Sequence, residues 1–253
     1  MLTILIIVIS IAIYFICYVV LTNKKLSNIK KLVGDNYLPD VYYIEIDKNG
    51  PTIVIVSGTH GNEPAPGYYF QRFVESEEYS LLPPAKYYIV PFVNISGIRT
   101  YERNTFYQPD INRSWPTSDN NKPSNDINKY LLPIINSADY IFDFHEGWGN
   151  MYKDKGRSVG HSIYCNKINY KSNIDNIISD INNDNSDIDS VNNNIWSFNP
   201  ENIELKGSLR EYAEIKNILY VLVEVKGQDD VAPVSERIKY TEFIFKKLLK
   251  IIR

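Results

Sequence analysis

The stretch Thr52-Ile53-Val54-Ile55-Val56-Ser57-Gly58-Thr59-His60-Gly61-Asn62-Glu63 decides how the chain folds. Its first five residues are all β-branched, which stiffens χ1 and favours extended, pleated backbone. An apolar run this short, closed by glycines, predicts a strand buried on both faces. Residues 64–77 follow with Pro64 near their start, where a fixed φ suits the first turn of a helix. A doubly buried strand feeding a helix is the unit of a sheet covered by helices on both sides.

The pattern repeats outward from that unit. Val41 to Ile46 alternates and predicts an edge strand, Ala85 to Val93 a third strand, and Tyr140 to Phe144 a fourth that runs into His145. Ser162 to Cys165 is a short strand and Leu219 to Val225 another buried one. Helices are predicted over Ser124–Asn136, Asn173–Asn183, Gly207–Ile215 and Ser235–Ile252, the second showing Ile174, Ile177, Ile178 and Ile181 on one face. The polar residues 182–194 predict a loop or insertion. No internal repeat is present. The expected fold class is therefore α/β, a three-layer α/β/α domain around a mixed, mostly parallel sheet.

The chain has 253 residues, of which 44% are hydrophobic and 23% charged. That suits a single globular domain. A net charge of −3 argues against nucleic acid as a partner. Leu2 to Leu21 is uncharged, about long enough as a helix to cross a 30 Å hydrocarbon core. It reads as a transmembrane anchor at residues 1–22, with 23–40 as a linker and 41–253 as the domain. No basic residue precedes the run and no small-x-small site closes it, which disfavours a cleaved signal. Lys24, Lys25, Lys30 and Lys31 follow, and the positive-inside rule puts the domain of this single-pass membrane protein on the cytoplasmic side. Cys17 and Cys165 cannot pair within the domain, in keeping with a reducing compartment.

Histidine is scarce, with three in the chain: His60, His145 and His161. His60 and Glu63 lie three apart where the first buried strand ends, the edge at which α/β sheets gather their ligands. Asp143-Phe144-His145-Glu146-Gly147 ends a second apolar strand and offers another imidazole. A His, Glu, His set with one open position is a donor set for catalytic zinc. Arg103-Asn104 and Asp110-Ile111-Asn112-Arg113 place guanidinium groups among asparagines, fixed donors for a carboxylate or an oxyanion. His161 reads as a core residue and Cys165 as a strand residue.

The order His60-x-x-Glu63, Asn94-x-x-Gly97, Arg103, Asp110-x-Asn112-Arg113, His145 and Glu224 resembles the zinc carboxypeptidase family, including its succinylglutamate desuccinylase and aspartoacylase branch. The resemblance runs from about Ile53 to Arg237. It implies one Zn²⁺ per chain held by His60, Glu63 and His145, with Asp110 behind His60. It also implies Glu224 as the general base toward a zinc-activated water, Arg103 on the scissile carbonyl, and Asn112 and Arg113 on a substrate carboxylate. Glu224 stands between Val223 and Val225, and a carboxylate in such a strand needs a compensating role. Tyr212 is a candidate for the tyrosine that such enzymes bring over the substrate.

The expected activity is that of a metallocarboxypeptidase acting on a peptide with a free carboxylate. The alternatives are an N-acyl amino acid deacylase of the desuccinylase/aspartoacylase type and a membrane-anchored binding module of the same fold. The interval from Glu63 to His145 is shorter than in digestive carboxypeptidases and nearer the aspartoacylase-like branch. Asn94-x-x-Gly97 and the placing of Arg103 fit the peptidase pattern better.

Overall fold

The computed structural model describes residues 29–32, 34, 37–104, 109–148, 160–184, 197–198, 205–228 and 232–252. The apolar segment 2–21, expected to be the membrane anchor, lies outside the described residues, as does most of the polar loop 182–194. Among the described residues no helix is long and apolar enough to cross a membrane.

The sheet contains β1 (Ile29–Leu32), β2 (Val41–Glu45), β3 (Thr52–Ser57), β4 (Lys86–Val90), β5 (Tyr140–Gly147), β6 (Ser162–Cys165), β7 (Ser197–Phe198) and β8 (Leu219–Lys226). Their spatial order is β1-β2-β4-β3-β5-β8-β6-β7. The central strands β4, β3, β5 and β8 pair in parallel. Antiparallel pairing joins β1 to β2, β2 to β4 and β6 to β8. The mixed, mostly parallel centre is as expected, with one correction. Val41–Glu45 is not at the edge, because Ile29–Leu32, within the segment expected to be linker, pairs outside it.

Side-chain alternation divides the sheet into two faces. On one, Ile53, Ile55, Phe142, Phe144, Val221, Val223 and Val225 form a core with three helices. These are α1 (Ala65–Glu75), α4 (Lys171–Asp184) and α6 (Val234–Leu248). On the other, Val54, Val56, Ile141 and Tyr220 pack with α3 (Asp126–Asn136) and α5 (Leu209–Ile215). The short helix α2 (Ile95–Thr100) follows β4. The three expected layers are present.

One charged group is buried in the first layer. Glu146 Oε1 accepts the Ala65 N–H at the start of α1 (2.7 Å), and Oε2 pairs with Arg237 of α6. The Arg237 and Glu146 side chains are 1% and 0% exposed. Burial pushes Glu146 up to about 7 even against the guanidinium. This pair ties two helices to the end of β5. Removing one partner of such a pair leaves an uncompensated charge, at a cost on the order of 3–5 kcal/mol. Arg237→Met should lose about that much stability in urea denaturation, and the added change Glu146→Gln should recover part of it. A single variant as stable as wild type would show the pair to be solvated.

Candidate metal centre

Parallel pairing sets β3, β5 and β8 side by side and ends them at one edge of the sheet. His60 and Glu63 lie in the turn after β3, and His145 near the end of β5. Ligand atoms of the three lie within 4.8 Å of one another, and all three residues are buried. Glu63 is the centre of the group. Its Oε1 is 2.8 Å from His60 Nδ1, and its Oε2 is 2.8 Å from His145 Nδ1 and accepts the Glu146 N–H at 3.2 Å. Burial alone would raise the Glu63 carboxyl, but the two imidazoles reverse that and hold it well below the usual range.

The turn is shaped by close backbone approach. A Cβ on Gly61 would sit 2.0 Å from the Gly97 carbonyl carbon and 2.3 Å from the Glu102 oxygen. Asn94 caps α2 by accepting the Gly97 N–H (2.9 Å) and donates to the Arg103 carbonyl (3.2 Å). The Asn94-x-x-Gly97 motif is therefore the seat on which the His60 turn rests.

Both imidazoles turn Nδ1 inward and have a carboxylate behind Nε2. Asp110 Oδ1 is 3.4 Å from His60 Nε2, and Asp143 Oδ1 is 3.2 Å from His145 Nε2. A carboxylate in that position selects the tautomer with its proton on Nε2 and leaves Nδ1 as a ligand. Burial disfavours charge on either ring, yet the carboxylates raise both, His145 strongly. Asp143 is in turn held by the Tyr220 hydroxyl, which donates to Oδ2 at 2.7 Å. Two imidazole nitrogens and one carboxylate, each oriented by a second partner, fit zinc with a coordination position to spare.

Glu224 pairs with His145 in the parallel register of β8 and β5, about 5 Å away by strand spacing. Burial, with the charges of Glu63 and Asp143, pushes its carboxyl up to about 8, against the pull of His145 and His60. Arg103 reaches the same edge. Its Nη2 donates to Asp110 Oδ2 (3.2 Å), and its Nη1 is 3.3 Å from His60 Nδ1 and 3.6 Å from Glu63 Oε1.

The structure therefore gathers His60, Glu63, His145, Glu224 and Arg103. Asn112 and Arg113 lie on the 3₁₀ turn that Asp110 caps. The Asn112 amide oxygen accepts the Leu209 N–H of α5 (3.0 Å), and Arg113 is exposed, donating to the Asn112 carbonyl (2.6 Å). Tyr212 is not at the site. It is buried, stacks on Trp115 and donates to Asn136 Oδ1 at 2.6 Å. Its hydrophobic ring fills the second layer, so it is a core residue.

Residues 49–155 match the family model of the succinylglutamate desuccinylase/aspartoacylase catalytic domain. Over those residues the chain is similar to that catalytic domain, and its fold is shared with the solved structures that follow. Csd4, a cell shape determinant protein of Helicobacter pylori solved with a bound tripeptide, has 16% identity and a TM-score of 0.67. That comparison covers 84% of this chain and 55% of Csd4, so the chain spans about half the length of that relative. A candidate metallopeptidase from Shewanella baltica has 16% identity and a TM-score of 0.66 over 93% of this chain and 91% of its own. A succinylglutamate desuccinylase/aspartoacylase from Rhodobacter sphaeroides has 15% identity and a TM-score of 0.56 over 85% and 59%. A search of curated proteins returns no significant match.

The match takes in His60, Glu63, Arg103, Asn112, Arg113 and His145, and stops short of Glu224. Glu224 rests on geometry instead. Three residues at the site escaped the sequence: Asp143, Tyr220 and Gln228, whose amide Nε2 donates to Glu63 Oε1 at 3.1 Å. Asp143 stands two before His145 on the same strand face, a signal that was available. Tyr220 and Gln228 depend on pairing across strands and had none.

His161, the third histidine, is a core residue as expected. Its Nδ1 accepts the Lys226 N–H at 3.0 Å, and its ring packs on Tyr240. Burial, with a smaller push from Lys226, lowers it from 6.5 to about 3. Below about 6.5 the unfolded chain takes up a proton that the folded chain refuses. This group therefore removes stability as pH falls from about 6.5 toward 3. His161→Gln, which does not titrate, should be less stable than wild type at pH 7. That gap should narrow by about 2 kcal/mol at pH 5, at about 1.4 kcal/mol for each pH step of one. Urea denaturation at both values measures it, and an unchanged gap would mean that the imidazole is not shielded.

Proposed function

We propose that the chain is a zinc-dependent amide hydrolase, most specifically a metallocarboxypeptidase, with Glu224 as its general base. The observation that carries this reading is the placement of Glu224 beside His145, across one strand spacing from a three-ligand set with a position to spare. Burial and neighbouring carboxylates push the Glu224 carboxyl up to about 8 in the metal-free site. The charge of a bound zinc would draw it back toward neutrality, where a general base works. His60, Glu63 and His145 would hold the zinc, which would supply Lewis acidity to a carbonyl and to water.

The remaining steps belong to side chains. Glu224 accepts a proton from the attacking water and delivers it to the leaving nitrogen. Arg103, anchored on Asp110, points its second nitrogen toward the ligand set, where an oxyanion would form. Asp110 and Asp143 keep the two imidazoles oriented while charge changes in front of them. Arg113 is exposed on the same turn as Asp110, free of the ligand set, and can clamp a substrate carboxylate with two parallel donors.

A second reading has its own support. The match of residues 49–155 is to a desuccinylase and aspartoacylase domain, which favours an N-acyl amino acid as substrate. Both substrates carry a free carboxylate next to the amide and call for the same residues. Csd4 is a D,L-carboxypeptidase that has also been solved with mDAP bound, which supports the peptide reading.

Two measurements bear on this. Glu224→Gln keeps size and loses the base, so turnover should fall roughly 10²- to 10⁴-fold while zinc content stays near one per chain. Activity within a few-fold of wild type would assign the proton to another residue. Free-acid and amide forms of one substrate should differ, the acid being preferred. Arg113→Lys should narrow that preference, because an ammonium cannot copy the paired donors of a guanidinium. Equal cleavage of both forms by wild type would remove the carboxylate clamp.

A further inference from the structure

We infer that Gln228 is a positioning residue for the metal centre, which fixes the carboxylate of Glu63 by donating its amide N–H to Oε1. The inference rests on the zinc reading above and extends it to a residue outside the ligand set. The two atoms are 3.1 Å apart, joining positions 165 residues apart in sequence. Glu63 sits between two imidazoles and can only accept, so the Gln228 amide must present its nitrogen there.

The placement of Gln228 is built rather than incidental. It follows β8 directly after Gly227, whose N–H donates to the Gly147 carbonyl at 3.1 Å. Gly227 has no room for a side chain, since a Cβ there would lie 1.8 Å from Arg237 Cδ. Arg237 is itself paired with Glu146 in the core. Glu146 also donates its backbone N–H to the other Glu63 oxygen. Both oxygens of Glu63 are therefore set by one assembly. Oε2 is held by the backbone at the end of β5, and Oε1 by the side chain that β8 and Arg237 bring to it.

The consequence falls on metal affinity. A carboxylate with a donor on each oxygen is already turned for its two imidazole neighbours before an ion arrives. Outer partners of this kind are worth roughly 10- to 100-fold in metal affinity. Gln228→Met keeps the length and loses the donor.

The test is zinc competition against a chromogenic chelator, with the full chain and with thermal melting of the zinc-free proteins alongside. Gln228→Met should bind zinc roughly 10- to 100-fold more weakly than wild type with an unchanged zinc-free melting temperature. In a Glu63→Gln background, where the carboxylate is already gone, adding Gln228→Met should change affinity less than about twofold, since partners in one network are not additive. Affinity of the single variant within twofold of wild type would overturn the inference. So would a loss that persists in full without Glu63, because Gln228 would then act by another route. Wild-type protein that holds no zinc would instead overturn the zinc reading itself, an outcome that the same titration separates from the other two.

Discussion

Everything at the centre follows from strands that run the same way. Parallel pairing in register places the last residues of β3, β5 and β8 along one edge, so His60, Glu63, His145 and Glu224 meet although they span most of the sequence. Antiparallel pairing of the same strands would send the end of β5, with His145, to the opposite edge. The pairing also decides which side of the sheet carries the chemistry. His145, Asp143, Glu224 and Tyr220 share the face of the second core, while Phe144 and Glu146 alternate to the first. One strand thus serves the reactive face and the structural face with neighbouring residues.

The electrostatics divide along the same line. On the reactive face Glu63, Asp110 and Asp143 surround two imidazoles, and Glu63 and Asp110 approach Arg103. Burial resists charge on each group, and mutual contact opposes burial, lowering Glu63 and raising both imidazoles. Glu224, with two carboxylates nearby, is the member for which burial and repulsion prevail. Two carboxyl groups in one cluster are thereby driven to opposite ends of the scale, the separation that distinguishes a ligand from an acid–base group. Behind the sheet, Glu146 finds a guanidinium and a helix N–H, and there the charge holds the frame together.

Much of this was legible in sequence, for identifiable reasons. The β-branched run 52–56 and the carboxylate between Val223 and Val225 violate or obey simple local rules, so β3, β8 and Glu224 stood out. His60, Glu63 and His145 lay at strand ends, where three histidines in all made coincidence improbable. What failed depended on pairing. Ile29-Lys30-Lys31-Leu32 does not alternate cleanly, so β1 passed as linker and β2 as the edge. Tyr212 carries a hydroxyl but lies on the apolar side of a short helix, and packing against Trp115 governs it. Tyr220 and Gln228 touch their partners only through register and a turn, which no local pattern reports.

The Glu146–Arg237 pair also has a consequence for the order in which the protein comes into being. Chains emerge from the ribosome from the N-terminus, at about 5–20 residues each second. His60, Glu63 and His145 are therefore synthesised well before Arg237. Until α6 docks, Glu146 has no counter-charge and the turn after β8 lacks the packing that Arg237 gives it. A nascent chain that already possesses every ligand still lacks the frame that aims them. The arrangement around His60, Glu63 and His145 is thus complete only once the closing helix has been laid against the sheet.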